Sequence, residues 1–292
     1  MSHRKRTTLA LGAALSATVA LAAPALAAGG GASADDTGST PNGSARAAGV
    51  TRAGGGFMGW SAPTSADTSA SGKAADAAQA RKQAVSATVA GIDVASYQGN
   101  VNWSTYYSQG KRFAYVKATE GTSYTSPYFT QQYNGSYNVG MVRGAYHFAV
   151  PSSSAGSTQA RYFVQHGGGW SKDGKTLPGA LDIEYNPYSG GTCYGLSQAS
   201  MRSWISSFLS TYKSLTGRDA VIYSTTDWWT TCTGNTSAFS TTNPLWIARY
   251  SSSAGTLPSG WGYYTFWQYS SSPLDQDRFN GAATQLTKLA NG

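Results

Sequence analysis

The sequence predicts an α/β fold, an irregular (β/α) barrel with fewer outer helices than strands. Short apolar runs alternate with helix-period patterns along residues 88–292. That alternation argues for parallel strands joined by crossover helices. Seven or eight strands in about 205 residues suit a closed barrel better than an open sheet, and helix signals thin out in the second half. Composition removes the main alternatives. Only 12% of the 292 residues are charged, and two cysteines cannot build a disulfide-dense scaffold or a four-thiolate zinc site. The one long apolar stretch is N-terminal and short, which excludes a polytopic membrane protein.

Residues 1–28 read as an export signal. A basic run (His3, Arg4, Lys5, Arg6) precedes apolar and small residues from Leu9 to Ala22, followed by Ala25-Leu26-Ala27, an A-x-A cleavage site. Residues 29–87 are rich in Gly, Ala, Ser, Thr and Asp, with Phe57 and Trp60 as their only aromatic residues. Such a segment buries too little apolar surface to offset its ordering entropy and is expected to be a disordered pro-segment or linker. The domain proper is expected over 88–292, which holds 35 of the 37 aromatic residues. Its 13 Lys and Arg face 9 Asp and Glu, so the formal charge of +8 is half a property of the tails. Export implies an oxidising compartment, in which Cys193 and Cys232 are expected to pair.

Within the domain the strand candidates are 89–94, 113–118, 142–149, 180–184, 220–224, 245–249 and 264–269. Ser126-Pro127 offers a helix N-cap with proline at the first helical position, followed by Phe129, Gln132, Tyr133 and Tyr137 at helical spacing. The clearest helix starts after Ser197. Its stripe of Met201, Trp204, Ile205, Phe208, Leu209, Tyr212 and Leu215 reads as core packing, and Gly217 stops it.

Carboxylates are scarce, so their placement carries information. Glu120 and Glu184 are the domain's two glutamates. In Ala180-Leu181-Asp182-Ile183-Glu184-Tyr185 the period of two puts Asp182 and Glu184 on one face of the strand. Leu181, Ile183 and Tyr185 take the other, helix-facing side, so both acids should face the barrel axis, as should Asp93 between Ile92 and Val94. Stability gives no reason to bury two acids together. Paired carboxylates with different tasks suit glycosidic-bond cleavage: one delivers a proton to the leaving oxygen, the other stays anionic beside a cationic transition state. Glu184 has the longer reach and is the candidate donor. The neighbouring charge of Asp182 is expected to raise its pKa toward ~6.

Other polar residues fall at or just beyond the C-terminal ends of successive strand candidates: Glu120, His147, Tyr223, Arg249, Trp267 with Gln268, and Asp275 in the last loop. In a (β/α) barrel that end houses the chemistry. Aromatic residues near those ends, among them Tyr97, Tyr124, Tyr146, Tyr185, Trp228, Trp229, Trp246, Trp267 and Tyr269, suit the flat faces of a sugar polymer.

At these positions the sequence resembles the Chalaropsis-type lysozymes, glycoside hydrolase family 25. The resemblance spans nearly all of 88–290 and rests on GIDVASYQGNVNW from Gly91, YVKATEG from Tyr115, RGAYHF from Arg143, ALDIEY from Ala180, LWIARY from Leu245, FWQYS from Phe266 and LDQDRFNG from Leu274. It implies a secreted N-acetylmuramidase that hydrolyses the β-1,4 bond between N-acetylmuramic acid and N-acetylglucosamine in peptidoglycan, without a cofactor. By position, Glu184 resembles the general acid/base. Asp182 resembles the residue that orients the substrate's own acetamido group, and Asp93 and Asp275 resemble supporting carboxylates. Glu120, Tyr146, His147, Tyr185, Tyr223, Arg249, Trp267 and Gln268 are candidate substrate-binding residues. Asp277 stands where the family commonly has asparagine, so it either joins the groove or caps the turn.

Other classes fit less well. A substrate-assisted chitinase usually carries a further aspartate two residues before the pair, where Ala180 stands. A glycan-binding barrel without chemistry should have lost one of Asp93, Asp182 and Glu184. Nucleic-acid binding lacks a basic stripe among the domain's aromatics, and metal catalysis lacks ligands, because only His147 and His166 lie in the domain. No G-x-S-x-G elbow is present for a serine hydrolase. A monomer acting on bacterial cell wall, with no membrane partner after signal cleavage, is expected.

Overall fold

The computed structural model describes residues 40–62 and 87–292. The export signal predicted over 1–28 lies outside them. Nine strands form: β1 Thr88–Val94, β2 Phe113–Glu120, β3 Tyr124–Thr125, β4 Val142–Phe148, β5 Ala180–Asp182, β6 Val221–Ser224, β7 Leu245–Ala248, β8 Phe266–Ser270 and β9 Gln276–Asn280. Among the described residues seven α-helices accompany them: α1 Gly43–Ala47, α2 Trp103–Ser108, α3 Phe129–Asn138, α4 Gly156–Phe163, α5 Gln198–Thr216, α6 Thr226–Thr233 and α7 Ala283–Asn291.

Strands β1, β2, β4, β5, β6, β7 and β8 run parallel in that order, and β9 closes the ring by pairing antiparallel with both β8 and β1. The result is an eight-stranded barrel, with the two-residue β3 an appendage on β2. No helix lies between β7 and β8 or between β8 and β9, which is the thinning the sequence predicted. Strand β9 was not foreseen: its polar alternation, Gln276-Asp277-Arg278-Phe279-Asn280, reads as a loop until its two neighbours are known.

Large and small residues alternate across the barrel interior, as close packing requires. A Cβ on Gly91 would meet the Phe113 ring at 2.3 Å, and one on Gly144 would meet the Tyr115 ring at 2.2 Å. These glycines make room for rings that fill the lower barrel with Trp246 and Phe266. Outside, α5 behaves as its pattern predicts. Ser197 caps it by accepting from the Ser200 amide at 3.2 Å, and Gly217 ends it at φ +74°. Burial of Met201, Trp204, Ile205, Phe208, Leu209 and Tyr212 contributes on the order of 10 kcal/mol. Leu215, last in the stripe, is exposed. Helix α3 begins later than expected: Ser126 does not cap it, and Tyr128 occupies the N-cap without a side-chain bond. Cys193 and Cys232 form a disulfide with Cα atoms 5.5 Å apart, tying the segment after β5 to α6.

The expectation of disorder over 29–87 does not hold for residues 40–62. Asn42 donates to the Asn186 carbonyl at 2.9 Å and its amide to the Pro187 carbonyl at 2.7 Å, while Ala45, Val50 and Met58 are fully buried. Composition misleads here because the segment adds little apolar surface of its own and borrows that of the barrel.

Candidate active site

The C-terminal ends of the parallel strands open on one side of the barrel, and the inward positions there are acidic and aromatic. Alternation in β5 places Leu181 and Ile183 in the outer core beneath the helices and turns Asp182 and Glu184 inward, both fully buried. Asp93 at the end of β1 and Asp277 in β9 face one another across the closing seam, and Asp275 precedes β9. Five acids thus share the cleft: Asp93, Asp182, Glu184, Asp275 and Asp277.

They form two carboxyl pairs, Asp182 with Glu184 and Asp93 with Asp277. Neither oxygen of Asp182 accepts from an N–H or O–H donor among the described residues, and the group beside it is the Glu184 carboxyl. Burial raises the Asp182 carboxyl well above the usual carboxylate range, and the charge of Glu184 adds to that. Burial pushes Glu184 up to about 7, against donors from Ser61 and Gly59. The direction matches the sequence expectation but the cause does not. Desolvation drives the shift, and the hydrogen bond from Asp182 lowers the Glu184 pKa.

Asp93 is raised by burial and then by Asp277, while Gln268 stabilises its anion through a 2.8 Å bond from Nε2. Gln268 in turn accepts from the Tyr223 hydroxyl at 2.8 Å. Asp277 accepts from Trp246 Nε1 at 3.1 Å and is raised by burial and by Asp275. Asp275 is raised by burial, then by Asp93 and Glu184. Asp277 is therefore a buried member of the cluster and not a turn cap. The hydroxyl of Tyr146 lies close enough to Asp93, Asp182 and Asp275 to feel their charge. Among the described residues no cluster of three or more His, Cys, Asp or Glu side chains has the arrangement of a metal site.

Several candidates point elsewhere. His147 has the outward parity of Ala145. It bonds Thr119 Oγ1 at 2.8 Å and Gln159 Oε1 at 2.9 Å beneath Phe163 and Phe208, and burial lowers its pKa to about 4. Trp267 is likewise outward, donating to the Arg249 carbonyl at 2.9 Å with Arg278 over its ring. The Arg249 guanidinium lies against Gly255 in the following loop. The Tyr185 hydroxyl donates to Asp227 at the start of α6. Trp228, Trp229 and Trp246 are core residues, whereas Tyr97 is 81% exposed.

Glu120 is inward but engaged: it forms a buried ion pair with Lys117 at 2.5 Å and accepts from the Tyr188 hydroxyl. A bulge between Lys117 and Thr119 shifts the phase of β2, so Lys117 and Glu120 meet on the same side. Lys117 and Tyr250 were missed by the sequence reading. Each shares the parity of an inward neighbour, Tyr115 or Trp246, and that was the available signal.

Residues 54–62 were missed altogether, and they cover the acids. The Gly59 amide donates to Glu184 Oε1 at 2.8 Å. The Ser61 amide and hydroxyl donate to Oε2 at 3.1 and 2.5 Å. Tyr250 donates to the Gly59 carbonyl at 3.0 Å.

The family model for glycosyl hydrolases family 25 matches residues 92–277. Lysozyme M1 of Streptomyces globisporus is 52% identical over 211 residues, 70% of this chain and 71% of that protein. The N,O-diacetylmuramidase of Chalaropsis sp is 50% identical over 212 residues, 70% of this chain and 100% of its own length. Among solved structures, the muramidase from Acremonium alcalophilum is 57% identical with a TM-score of 0.69, covering 70% of this chain and 99% of that one.

Proposed function

Because the chain belongs to glycosyl hydrolases family 25, we propose that it is a peptidoglycan-hydrolysing muramidase whose chemistry is carried by Glu184 and Asp182. The observation that carries the assignment is the Asp182–Glu184 pair, two carboxyls sharing the inward side at the end of β5.

Glu184 supplies the proton to the oxygen of the β-1,4 bond between N-acetylmuramic acid and N-acetylglucosamine as the bond to the anomeric carbon breaks. With the proton of the pair on Glu184, Asp182 is the anion and holds the N–H of the 2-acetamido group so that its carbonyl oxygen closes onto that carbon. Glu184 then takes a proton from the water that reopens the ring, retaining configuration. Asp93, oriented by Gln268 and paired with Asp277, supports the developing positive charge together with Asp275. Tyr146, Tyr223 and Gln268 line the same interior and are the substrate-binding candidates that the geometry favours.

On this reading the catalytic domain spans 88–292, residues 1–28 are its export signal, and the enzyme is a monomer that acts outside the cell. No helix among the described residues is long and apolar enough to cross a membrane. The test is digestion of purified peptidoglycan with identification of the new reducing end. Muramic acid there supports the assignment, and glucosamine would mean that a different bond is cut. Glu184→Gln should lower turnover by ~10³-fold or more with the fold retained.

A further inference from the structure

Residues 54–62 lie over the acids at the C-terminal end of the barrel strands. Their backbone gives Glu184 its hydrogen-bond donors: the Gly59 amide at 2.8 Å and the Ser61 amide at 3.1 Å, joined by the Ser61 hydroxyl at 2.5 Å. The carbonyls on the same stretch are also used. Gly54 accepts from Lys117 Nζ at 3.1 Å, Gly56 accepts from the same ammonium, Met58 accepts from Gln268 Nε2 at 3.4 Å, and Gly59 accepts from the Tyr250 hydroxyl at 3.0 Å. Met58 is fully buried with the interior cluster that contains Tyr146, Tyr223 and Trp246, and Phe57 stacks on Tyr97 at 6.3 Å.

The glycine spacing is matched to this path. A Cβ on Gly54 would come within 2.3 Å of the Tyr124 ring, and one on Gly56 within 2.8 Å of the Phe148 ring. At Gly59, where φ is +85°, a Cβ would come within 2.3 Å of both Gln268 Oε1 and the Tyr250 hydroxyl oxygen. At these three positions only glycine fits.

The segment is also separable from the barrel. The family model begins at residue 92, and the Chalaropsis relative is matched over its whole length by 70% of this chain. Residues 54–62 thus lie outside the family match, an addition to the barrel and not part of its wall.

We propose that residues 54–62 are an intramolecular inhibitor, seated in the glycan cleft with their backbone on Glu184, and that the enzyme works only when they are displaced. The inference rests on the muramidase reading. Segment and glycan compete for one site: while the strap is seated, Glu184 is fully buried and its oxygens are taken by Gly59 and Ser61. The apparent affinity for substrate is that of the open form multiplied by the fraction of molecules that are open.

The test uses the intact chain with Gly59→Val and, as a second route to the same release, Met58→Asp, which would place a charge in the buried cluster. Peptidoglycan turnover is compared at equal concentrations of folded protein, with thermal midpoints confirming the barrel. At peptidoglycan concentrations well below saturation both variants should hydrolyse about tenfold or more faster than the wild type, as expected when about nine molecules in ten are closed. A synthetic peptide spanning residues 50–62 should slow them again, an effect that altered stability would not produce. Equal rates in wild type and both variants would overturn the inhibitor while leaving the muramidase assignment standing. Absence of hydrolysis in all three would overturn that assignment and this inference with it.

Discussion

Replacing Lys117 with methionine keeps the length of the side chain and removes its charge. The ammonium is 1% exposed and lies 2.5 Å from Glu120, itself 3% exposed. Its other neighbours are the carbonyls of Gly54 and Gly56 and the rings of Tyr124 and Phe148, at 4.9 and 5.2 Å. Without it, Glu120 keeps one donor, the Tyr188 hydroxyl, and is otherwise a buried, uncompensated anion, which costs about 3–5 kcal/mol. Glu120→Gln leaves the ammonium with two carbonyls and two rings and should cost less, about 2 kcal/mol. The double variant buries no charge. Its loss should fall short of the sum of the single losses by about 2 kcal/mol. Urea unfolding followed by tryptophan fluorescence reads all four midpoints, with unchanged slopes confirming a common transition. Losses that add to within ~0.5 kcal/mol, or a loss below ~1 kcal/mol for Lys117→Met, would refute the idea that the bulge in β2 exists to bring these two residues together.

Asp182→Asn should lower peptidoglycan turnover by ~10²-fold or more, because an amide cannot stay anionic beside the transition state; kcat on soluble fragments reads this. Glu184 holds its proton up to about pH 7 in the folded chain against an ordinary value of 4.5. Its contribution to stability is therefore complete below 4.5 and lost as pH rises through 7, about 3 kcal/mol in all. His147, lowered to about 4 from 6.5, acts oppositely: its contribution is present above 6.5 and lost as pH falls through 4. As pH rises from 4.5 to 7 thermal midpoints should decline less in Glu184→Gln than in the wild type, and as pH falls from 6.5 to 4 they should decline less in His147→Gln; curves parallel to wild type would contradict both assignments. Replacing Cys193 and Cys232 together with alanine frees a loop of 39 residues and should cost about 4 kcal/mol, lowering the midpoint of a domain this size by about 9 °C in calorimetry.

Much of the barrel and half of the site could be read from the chain because alternation is physical. Asp182, Glu184, Asp93, Tyr223 and Gln268 have the parity of inward residues, and the structure turns them inward. His147, Trp267 and Arg249 were chosen for standing at strand ends, but each is one residue out of phase with an inward neighbour. The same count would have found Tyr250. It would not have found the pairing of Lys117 with Glu120, because the bulge that resets β2 leaves no mark in the composition. Strand β9 and residues 54–62 were illegible for a shared reason. Their structure is dictated by surfaces far away in sequence, and glycine-rich or polar stretches carry no pattern of their own to announce such a surface.

The antiparallel closing strand ties the start of the domain to its end. Strand β1 is hydrogen-bonded to β2 on one side and to β9 on the other, and Asp93 meets Asp277 across that last seam. A chain emerging N-terminus first has an open sheet edge and an incomplete acid cluster until Gln276–Asn280 arrives. Closure of the barrel and completion of the acid cluster are thus one event, the docking of β9 between β8 and β1.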